Sequence, residues 1–301
     1  MESGTGAPGA GRRALPARLR TARGRGHRDR RARMSGVTGD DAPWHAGAMA
    51  PTIRPGEIAG WPLLSIVYRT DPDRLADLLP PGIVPGAQPH VHVNVYNFPV
   101  KGEPEYGVST KVDADYQGVP GFYGIGIGID QESAIFISQE LNGQPKFPCS
   151  TVYFRNGDGV EARCTHQGYT FLEFHGRVTG EVEPAGEFTE HEWWIKCSRA
   201  VGGAEKRYDF PPHVVDVSSA GATIHEEEVD GALVLRDSPW DPYTELLPML
   251  ELLSTRLVTR THSHREISLA GPLDPIAFWP YADTIGGSRW PGDRGGPRRS
   301  R

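Results

Sequence analysis

The feature that most constrains the fold is a two-residue alternation of apolar and polar side chains from residue 90 to about residue 236. The stretch "HVHVNVYNF" places Val91, Val93 and Val95 on one face of a predicted strand and its histidines on the other. In "GFYGIGIGID" glycine alternates with isoleucine, which predicts a curved strand or a close approach by another segment. Many strands joined by short turns favour an antiparallel sheet curled into a barrel or a sandwich.

Three segments fall outside this simple pattern. "DPDRLADLLPPG" predicts a short helix, with Asp71 as its cap, Pro72 at its first position and an apolar leucine face. "DPYTELLPMLELLSTRLV" predicts a longer helix in which Pro248 introduces a kink. "SAIFISQEL" is interpreted as a further strand.

The charge distribution is uneven along the chain. The formal net charge is −6 over 301 residues. Residues 1–33 carry ten arginines against two acidic residues, a net of +8, which leaves −14 for the rest. An acidic body argues against nucleic-acid binding, because phosphate contacts require clustered positive charge. No apolar run approaches the roughly 20 residues of a membrane span, so no membrane contact is expected.

The same patterns predict the organisation of the chain. We expect residues 1–50 to form a disordered basic extension, with Met34 and Met49 as candidate later starts. Residues 51–285 form the predicted β domain, and the glycine-rich residues 286–301 are predicted to be a disordered tail. Three widely spaced cysteines give neither a disulfide framework nor a metal motif, which is typical of a protein of the reducing cytoplasm.

Two histidine pairs are candidate metal ligands. His90 and His92 in "HVH", and His262 and His264 in "HSH", each place two imidazoles on one side of a strand. No third ligand follows at a recognisable spacing, so a solvated polar face is the favoured interpretation, and neither a metal nor another cofactor is predicted. The chain also lacks the nucleophile motif of serine hydrolases and the glycine fingerprint of dinucleotide-binding folds.

The remaining candidate is Lys146, in "SQELNGQPKFPCSTVYF". Burial in an apolar pocket lowers the pKa of a lysine, and a neutral amine can attack a carbonyl to form an imine. Pro145 and Phe147 supply a rigid and apolar setting. The residues alone nevertheless favour an ammonium that reaches the surface at the end of a strand.

A family resemblance changes this balance. "IVYRTDPDRLADLLPPG", "GIDQESAIFISQELNGQPKF" and "VDVSSAGATIHEEEVDGALVLRDSP" together resemble the acetoacetate decarboxylase family in order and spacing, over about residues 55–275. In "QELNGQPK" the resemblance places Lys146 at the family's Schiff-base lysine and retains its glutamate as Glu140. It implies a mainly β (α+β) fold, a closed cone-like antiparallel barrel with a few peripheral helices, and a homo-oligomer.

The departures from the family pattern define the predicted site. Phe147 stands at the place of the family's second lysine, and Trp61 at the place of a family arginine. The family's two acidic residues align near Asn94 and Val108, so the pocket is expected to lack its carboxylates.

Other polar residues near the lysine complete the predicted substrate-binding set. Asn142 and Gln144 are candidates for orienting a carbonyl or a water, and Tyr123 is a candidate proton carrier. Together with Glu140, Phe147 and Trp61 they would surround the substrate of Lys146.

The expected function is a Schiff-base lyase that decarboxylates a small oxo acid. Two alternatives stay open: aldol condensation with dehydration or cyclisation of a keto acid in secondary metabolism, and a non-catalytic barrel for a small hydrophobic ligand. In the last case Lys146 would pair with Glu140 or another anion and keep its charge.

Overall fold

The computed structural model describes residues 62–100, 103–202, 207–284 and 290, which belong to one compact unit, Ala50–Arg301. Its strands are β1 Leu63–Arg69, β2 Val84–Pro85, β3 His90–Val100, β4 Glu103–Tyr116, β5 Val119–Ile129, β6 Lys146–Pro148, β7 Ser150–Asn156, β8 Gly159–His166, β9 Tyr169–Val182, β10 Gly186–Arg199, β11 Tyr208–Leu235 and β12 Glu251–Pro272. Its helices are α1 Pro72–Leu78, α2 Glu132–Asn142, α3 Tyr243–Leu246 and a 3₁₀ helix at Trp279–Thr284.

The twelve strands form one sheet, and the mainly β prediction is confirmed. The pairings connect seven strands in a cycle, in the order β10, β5, β4, β3, β1, β12, β11 and back to β10. Six of the seven pairings are antiparallel. The seventh, between β10 and β5, is parallel and joins Glu192 to Phe122 and Trp193 to Tyr123. The closed cone itself stays a prediction.

The 28-residue β11 organises the sheet, because it pairs with β10, β12 and β9 along its length. Beyond β9, the strands β8 and β7 continue the sheet as antiparallel neighbours. The short β6 lies parallel to β5, and β2 pairs with β4. This arrangement brings β6, which carries Lys146, against the strand "GFYGIGIGI".

Alternation along the strands produces two buried clusters of unequal size. Val91, Val93 and Val95 are fully buried in the larger one, as their alternation predicts. The other face of β3 contributes Tyr96 to the smaller cluster. We call this smaller cluster the minor core; its buried members are Tyr96, Ile127, Ile129, Ile135, Trp194, Val215 and Val217.

The first helix forms as predicted. Pro72 begins α1, and the Asp71 side chain accepts hydrogen bonds from the backbone N–H groups of Asp73 and Arg74. Leu75 and Leu78 face the core. The capping carboxylate satisfies N–H groups that have no partner within the helix, which is why this signal is reliable in the sequence.

Two other element predictions are wrong. "SAIFISQEL" lies in helix α2, which ends at Gly143 with φ +64, a left-handed conformation that glycine adopts without steric cost. The predicted longer helix is a single turn, Tyr243–Leu246, followed by strand β12. Pro248 lacks the N–H needed to continue the helix, and the following residues pair with β1 and β11.

Among the described residues, none of the helices is long and apolar enough to cross a membrane. The predicted basic extension, residues 1–50, and most of the predicted tail lie outside the described residues. Trp290, within that predicted tail, is described and is 1% exposed. Its indole Nε1 donates to the carbonyl of Trp240 at 3.0 Å, and its ring makes an edge contact with Tyr243.

Candidate active site

The backbone on either side of Lys146 is tied to β5 and to α2. Ile127 donates to the carbonyl of Pro145 at 2.9 Å, and Cys149 donates to the carbonyl of Ile129 at 2.8 Å. The Gln139 side-chain amide donates to the carbonyl of Lys146 at 2.5 Å. These bonds fix the direction in which the lysine side chain leaves its strand.

The amine of Lys146 is buried beside a carboxylate. Its Nζ lies 3.7 Å from Oε2 of Glu105, and the two side chains are only 10% and 7% exposed. The separation is that of an ion pair and exceeds a hydrogen bond. Oε2 of Glu105 is buried and, among the described residues, has no hydrogen-bond donor within 3.5 Å, although Lys146 and Tyr96 both interact with this carboxylate group. An acceptor left in this state is available to a proton of a bound molecule.

Burial shifts both members of the pair toward their neutral forms. Desolvation lowers the pKa of Lys146, whereas the attraction of Glu105 opposes that change. Desolvation likewise raises the pKa of Glu105. The charge of Lys146 opposes this rise, and the charge of Asp130 adds to it. The site therefore favours an uncharged amine next to a protonated carboxyl group more than water does.

The minor core supplies part of the apolar surroundings. Lys146 pairs with Ile127, a buried member of that cluster. Tyr96, another member, is buried, and desolvation followed by the nearby charges of Glu105 and Glu192 raises its pKa. Its phenol therefore keeps its proton near neutral pH, as a hydrogen-bond donor to the site.

The structure does not bring Glu140 to the amine. The Glu140 side chain is 82% exposed on α2, and its Oε2 lies 3.8 Å from Nζ of Lys196. Lys196 also donates to the Glu140 backbone carbonyl. The anion that pairs with Lys146 is Glu105 on β4, a residue that the sequence interpretation did not single out.

Asn142 and Gln144 lie close to Lys146 along the chain. Asn142 is the last residue of α2 and is half-buried. The Gln144 carbonyl accepts a hydrogen bond from the Lys146 N–H at 2.7 Å, and its own N–H donates to Ser138. Gln144 therefore shapes the backbone before the lysine, and a contact of either side chain with substrate stays a prediction.

Tyr123 and Phe147 belong to the larger core. Burial raises the pKa of Tyr123, and the nearby Tyr281 and Cys197 raise it by smaller amounts. These two residues are therefore neighbours of its phenol. Tyr123 precedes Ile127, the partner of Lys146, by four strand residues, or about 13 Å. The structure therefore does not place Tyr123 at the amine.

Phe147 points away from the amine because adjacent strand residues face opposite sides of a sheet. Its ring lies 5.0 Å from that of His166 and 6.5 Å from that of Phe171. Phe147 therefore packs in the larger core, and its place at the position of the family's second lysine stays a prediction. Trp61 lies outside the described residues.

The expectation of a pocket without carboxylates is wrong. It rested on aligning the family's acidic positions with Asn94 and Val108, and Val108 is indeed buried in the larger core. The hairpin of β3 and β4 instead pairs Phe98 with Glu105, which directs this carboxylate to the lysine. Glu103 and Glu105 at the start of an alternating strand were the available signal, but the partner of Glu105 depends on tertiary pairing.

A second buried lysine was also missed. Nζ of Lys111 lies 3.7 Å from a carboxylate oxygen of both Glu190 and Glu192, and 4.0 Å from the centroid of the Phe122 ring. Glu192 also accepts a hydrogen bond from Nε1 of Trp194 at 2.6 Å. Lys111 thus lies near two carboxylates and an aromatic ring, whereas Lys146 lies at the same 3.7 Å from the carboxylate of Glu105.

Comparison with known proteins identifies the family of this chain. The family model described as acetoacetate decarboxylase matches residues 40–270. A curated acetoacetate decarboxylase of Streptomyces nogalater is 36% identical over 85 residues, which cover 28% of this chain and 34% of that protein. This match thus spans about a third of the curated relative.

Solved structures show the same fold at low identity. A structure of acetoacetate decarboxylase matches with a TM-score of 0.62 at 17% identity, over 70% of this chain and 87% of that one. The enduracididine biosynthesis enzyme MppR complexed with pyruvate matches with a TM-score of 0.55 at 16% identity, over 69% and 88% of the two chains. The extent of the family match shows that this chain belongs to the acetoacetate decarboxylase family.

Proposed function

We propose that this protein is a lyase that forms an imine between Nζ of Lys146 and the carbonyl carbon of a small oxo acid, and that its reaction is decarboxylation. The observation that carries the proposal is the buried pair of Lys146 and Glu105 at 3.7 Å. Burial lowers the pKa of the amine, and imine formation requires the neutral amine.

Glu105 supplies the proton transfers of this reaction. The neutral amine attacks the carbonyl, and the carboxyl group of Glu105, whose pKa burial raises, protonates the departing hydroxyl as water. The protonated imine of a 3-oxo acid then accepts the electron pair of the bond to the carboxylate, and CO₂ leaves. The resulting enamine takes a proton at carbon, and water hydrolyses the imine to release the ketone and Lys146.

The charge of the substrate carboxylate also needs a partner. The charge of Arg265, on β12, acts on Lys146 and lowers the pKa of the amine. A cation that acts on the amine also attracts an anionic substrate. The proposal therefore includes Arg265, which is exposed on β12, as a cation that attracts the substrate carboxylate.

Aldol condensation with dehydration is the second candidate reaction. It uses the same imine but starts from a 2-oxo acid, and a base must remove a proton to form the enamine. Glu105, ionised, lies where such a base is needed. The fold shared with MppR, which has been solved with pyruvate, supports keeping this candidate.

The non-catalytic alternative uses the same pair differently. If Lys146 stayed charged, its ion pair with Glu105 would be a structural contact and the protein would bind a small hydrophobic ligand. Burial acts against this state, because it disfavours both charges. The experiment must therefore report covalent chemistry rather than ligand binding.

Borohydride trapping distinguishes these possibilities. The protein is incubated with acetoacetate or with pyruvate, reduced with borohydride, and the adduct is located by peptide mass. Lys111 is a matched control, since its side chain is also 10% exposed. We expect the adduct on Lys146, its loss in Lys146→Arg, and its retention in Lys111→Arg.

The products then separate the two reactions. Release of CO₂ from acetoacetate supports decarboxylation, whereas condensation of pyruvate with an added aldehyde, with loss of water, supports the aldol route. An adduct on Lys111, or a folded protein that gives no adduct with a panel of oxo acids, would refute the imine proposal.

A further inference from the structure

A second polar cluster lies on β3 and β4, apart from the lysine. His90 and His92 share one face of β3 with Tyr96, because side chains two residues apart point the same way. The register of β3 and β4 pairs Val91 with Val112, so His90 and Asp113 are the next residues beyond that pair. The partner strand thus supplies the third polar side chain that the sequence spacing did not show.

The donor atoms of these three side chains converge. Nε2 of His92 lies 2.7 Å from Oδ1 of Asp113, and Nδ1 of His90 lies 3.5 Å from Oδ2. One donor atom from each residue lies within 4.8 Å of the others. The side chains are 26%, 21% and 21% exposed, so the cluster is partly shielded yet open to solvent on one side.

These separations suit a first-row divalent cation. Zinc binds imidazole nitrogen and carboxylate oxygen at about 2.0–2.2 Å, so neighbouring ligand atoms of a tetrahedral site are about 3.4 Å apart. The 3.5 Å separation of His90 and Asp113 is close to that value, whereas His92 and Asp113 are hydrogen-bonded at 2.7 Å and would move apart by about 0.7 Å to share a metal ion. Three protein ligands would leave a fourth position for water, as in zinc sites with exchangeable ligands.

The neighbouring charges also favour a cation. The Phe122 ring lies 4.9 Å from the His92 ring and 4.0 Å from Nζ of Lys111, so it contacts both. Lys111 and Arg260 contribute two positive charges, and Glu190, Glu192 and Asp113 contribute three negative ones. With both histidines neutral, these five charged residues together carry one negative charge before a metal binds.

We propose that His90, His92 and Asp113 form a binding site for a divalent first-row metal ion, with Zn²⁺ as the best match. The site is distinct from the amine of Lys146. His92 and Tyr96, the tyrosine whose pKa Glu105 influences, are four strand residues apart, or about 13 Å. Among the described residues, this is the one group of at least three metal-ligating side chains whose ligand atoms all lie within 4.8 Å of one another.

The second histidine pair provides a matched control. His264 lies 3.9 Å from Glu266 and is 55% exposed at its side chain, and the His262 ring packs at 5.7 Å against Phe188. One residue separates these two histidines, as it does His90 and His92, but among the described residues no carboxylate lies near both of them. They should contribute nothing to specific metal binding.

The test is titration of the metal-free, untagged full chain with Zn²⁺, followed by calorimetry, and with Co²⁺, followed by its visible absorption. We expect one saturable equivalent and a Co²⁺ spectrum of low coordination number. Loss of an outer-shell partner already weakens metal sites about 10- to 100-fold, so His92→Ala and Asp113→Asn should each weaken binding at least about 100-fold. The double variant His262→Ala, His264→Ala should bind as the wild type does.

Asp113→Asn guards against misfolding as an explanation. Its amide oxygen can still accept a hydrogen bond from His92, so it keeps the local contact while losing the anionic ligand. A wild-type chain without saturable binding would overturn the proposal. Unchanged metal affinity in Asp113→Asn and His92→Ala would also overturn it, as would an equal loss of metal affinity in the control variant. Circular dichroism checks that each variant is folded.

Discussion

A double-mutant cycle on Lys146 and Glu105 tests whether the pair is electrostatically coupled in a buried environment. The single changes are Lys146→Met and Glu105→Gln, which keep the approximate shape of each side chain. At 3.7 Å and an effective dielectric constant of about 20, two unit charges attract by about 4.5 kcal/mol. Because burial shifts both groups toward neutrality, we expect a measured coupling of roughly 1–4 kcal/mol.

The free energy of unfolding of the four proteins is measured by urea denaturation at pH 7. The pair of Lys196 and Glu140 serves as the control, because its separation is 3.8 Å but the glutamate side chain is 82% exposed. Exposed pairs contribute about 0–1 kcal/mol, since water screens them and the side chains lose entropy. The same two substitutions at Lys196 and Glu140 should therefore give the smaller coupling.

A coupling at the buried pair no larger than that of the exposed pair would refute the reasoning. The pH dependence provides a second check. Burial raises the pKa of Glu105, so its carboxylate takes up a proton at a higher pH than a free glutamate does. The coupling should consequently shrink as the pH falls toward that pKa, and a coupling that grows on acidification would contradict the assignment.

Three further outcomes are expected. The rate of borohydride trapping should rise with pH and reach half its maximum below the ordinary lysine pKa of about 10.4. Glu105→Gln should lower the pH of that midpoint further, because the carboxylate stabilises the ammonium form of Lys146. A wild-type midpoint at or above the ordinary value would contradict the burial of Lys146. Phe147→Ala should lower the free energy of unfolding by about 3–5 kcal/mol and still form the borohydride-trapped adduct on Lys146. Phe136→Ala, at a 61% exposed position, should change the free energy of unfolding by less than about 0.5 kcal/mol. Trp290→Ala should also lose about 3–5 kcal/mol in the same assay, and an unchanged transition would argue against its burial.

Local signals made part of this fold predictable. The cap and proline of α1 lie within a few residues of the helix they start, and the alternation of β3 reports which of its faces is buried. The apolar segment of α2 was ambiguous because a short apolar run suits a strand as well as a helix. Gly143 is the residue of this segment that favours the helix, because glycine readily adopts the left-handed conformation that ends it.

The candidate site was predictable only where one residue carried the signal. The family resemblance singled out Lys146, where its segment alone favoured a surface ammonium, and the structure shows the side chain buried. Glu105, Lys111 and Asp113 acquire their partners through strand register, which couples residues far apart in the chain. Such pairings depend on tertiary structure, so neither composition nor local periodicity identifies them.

The position of β1 has a consequence for synthesis on the ribosome. Leu64, Ile66 and Tyr68 are fully buried, but β1 pairs along one side with β12, which the ribosome makes about 190 residues later. At typical elongation rates that interval lasts roughly 10–40 s. Until then β1 can pair only with β3, and its other edge remains unpaired. Closing the cycle of strands is therefore a late step of synthesis, and a nascent chain stalled before β12 would display an apolar strand that invites chaperones or aggregation.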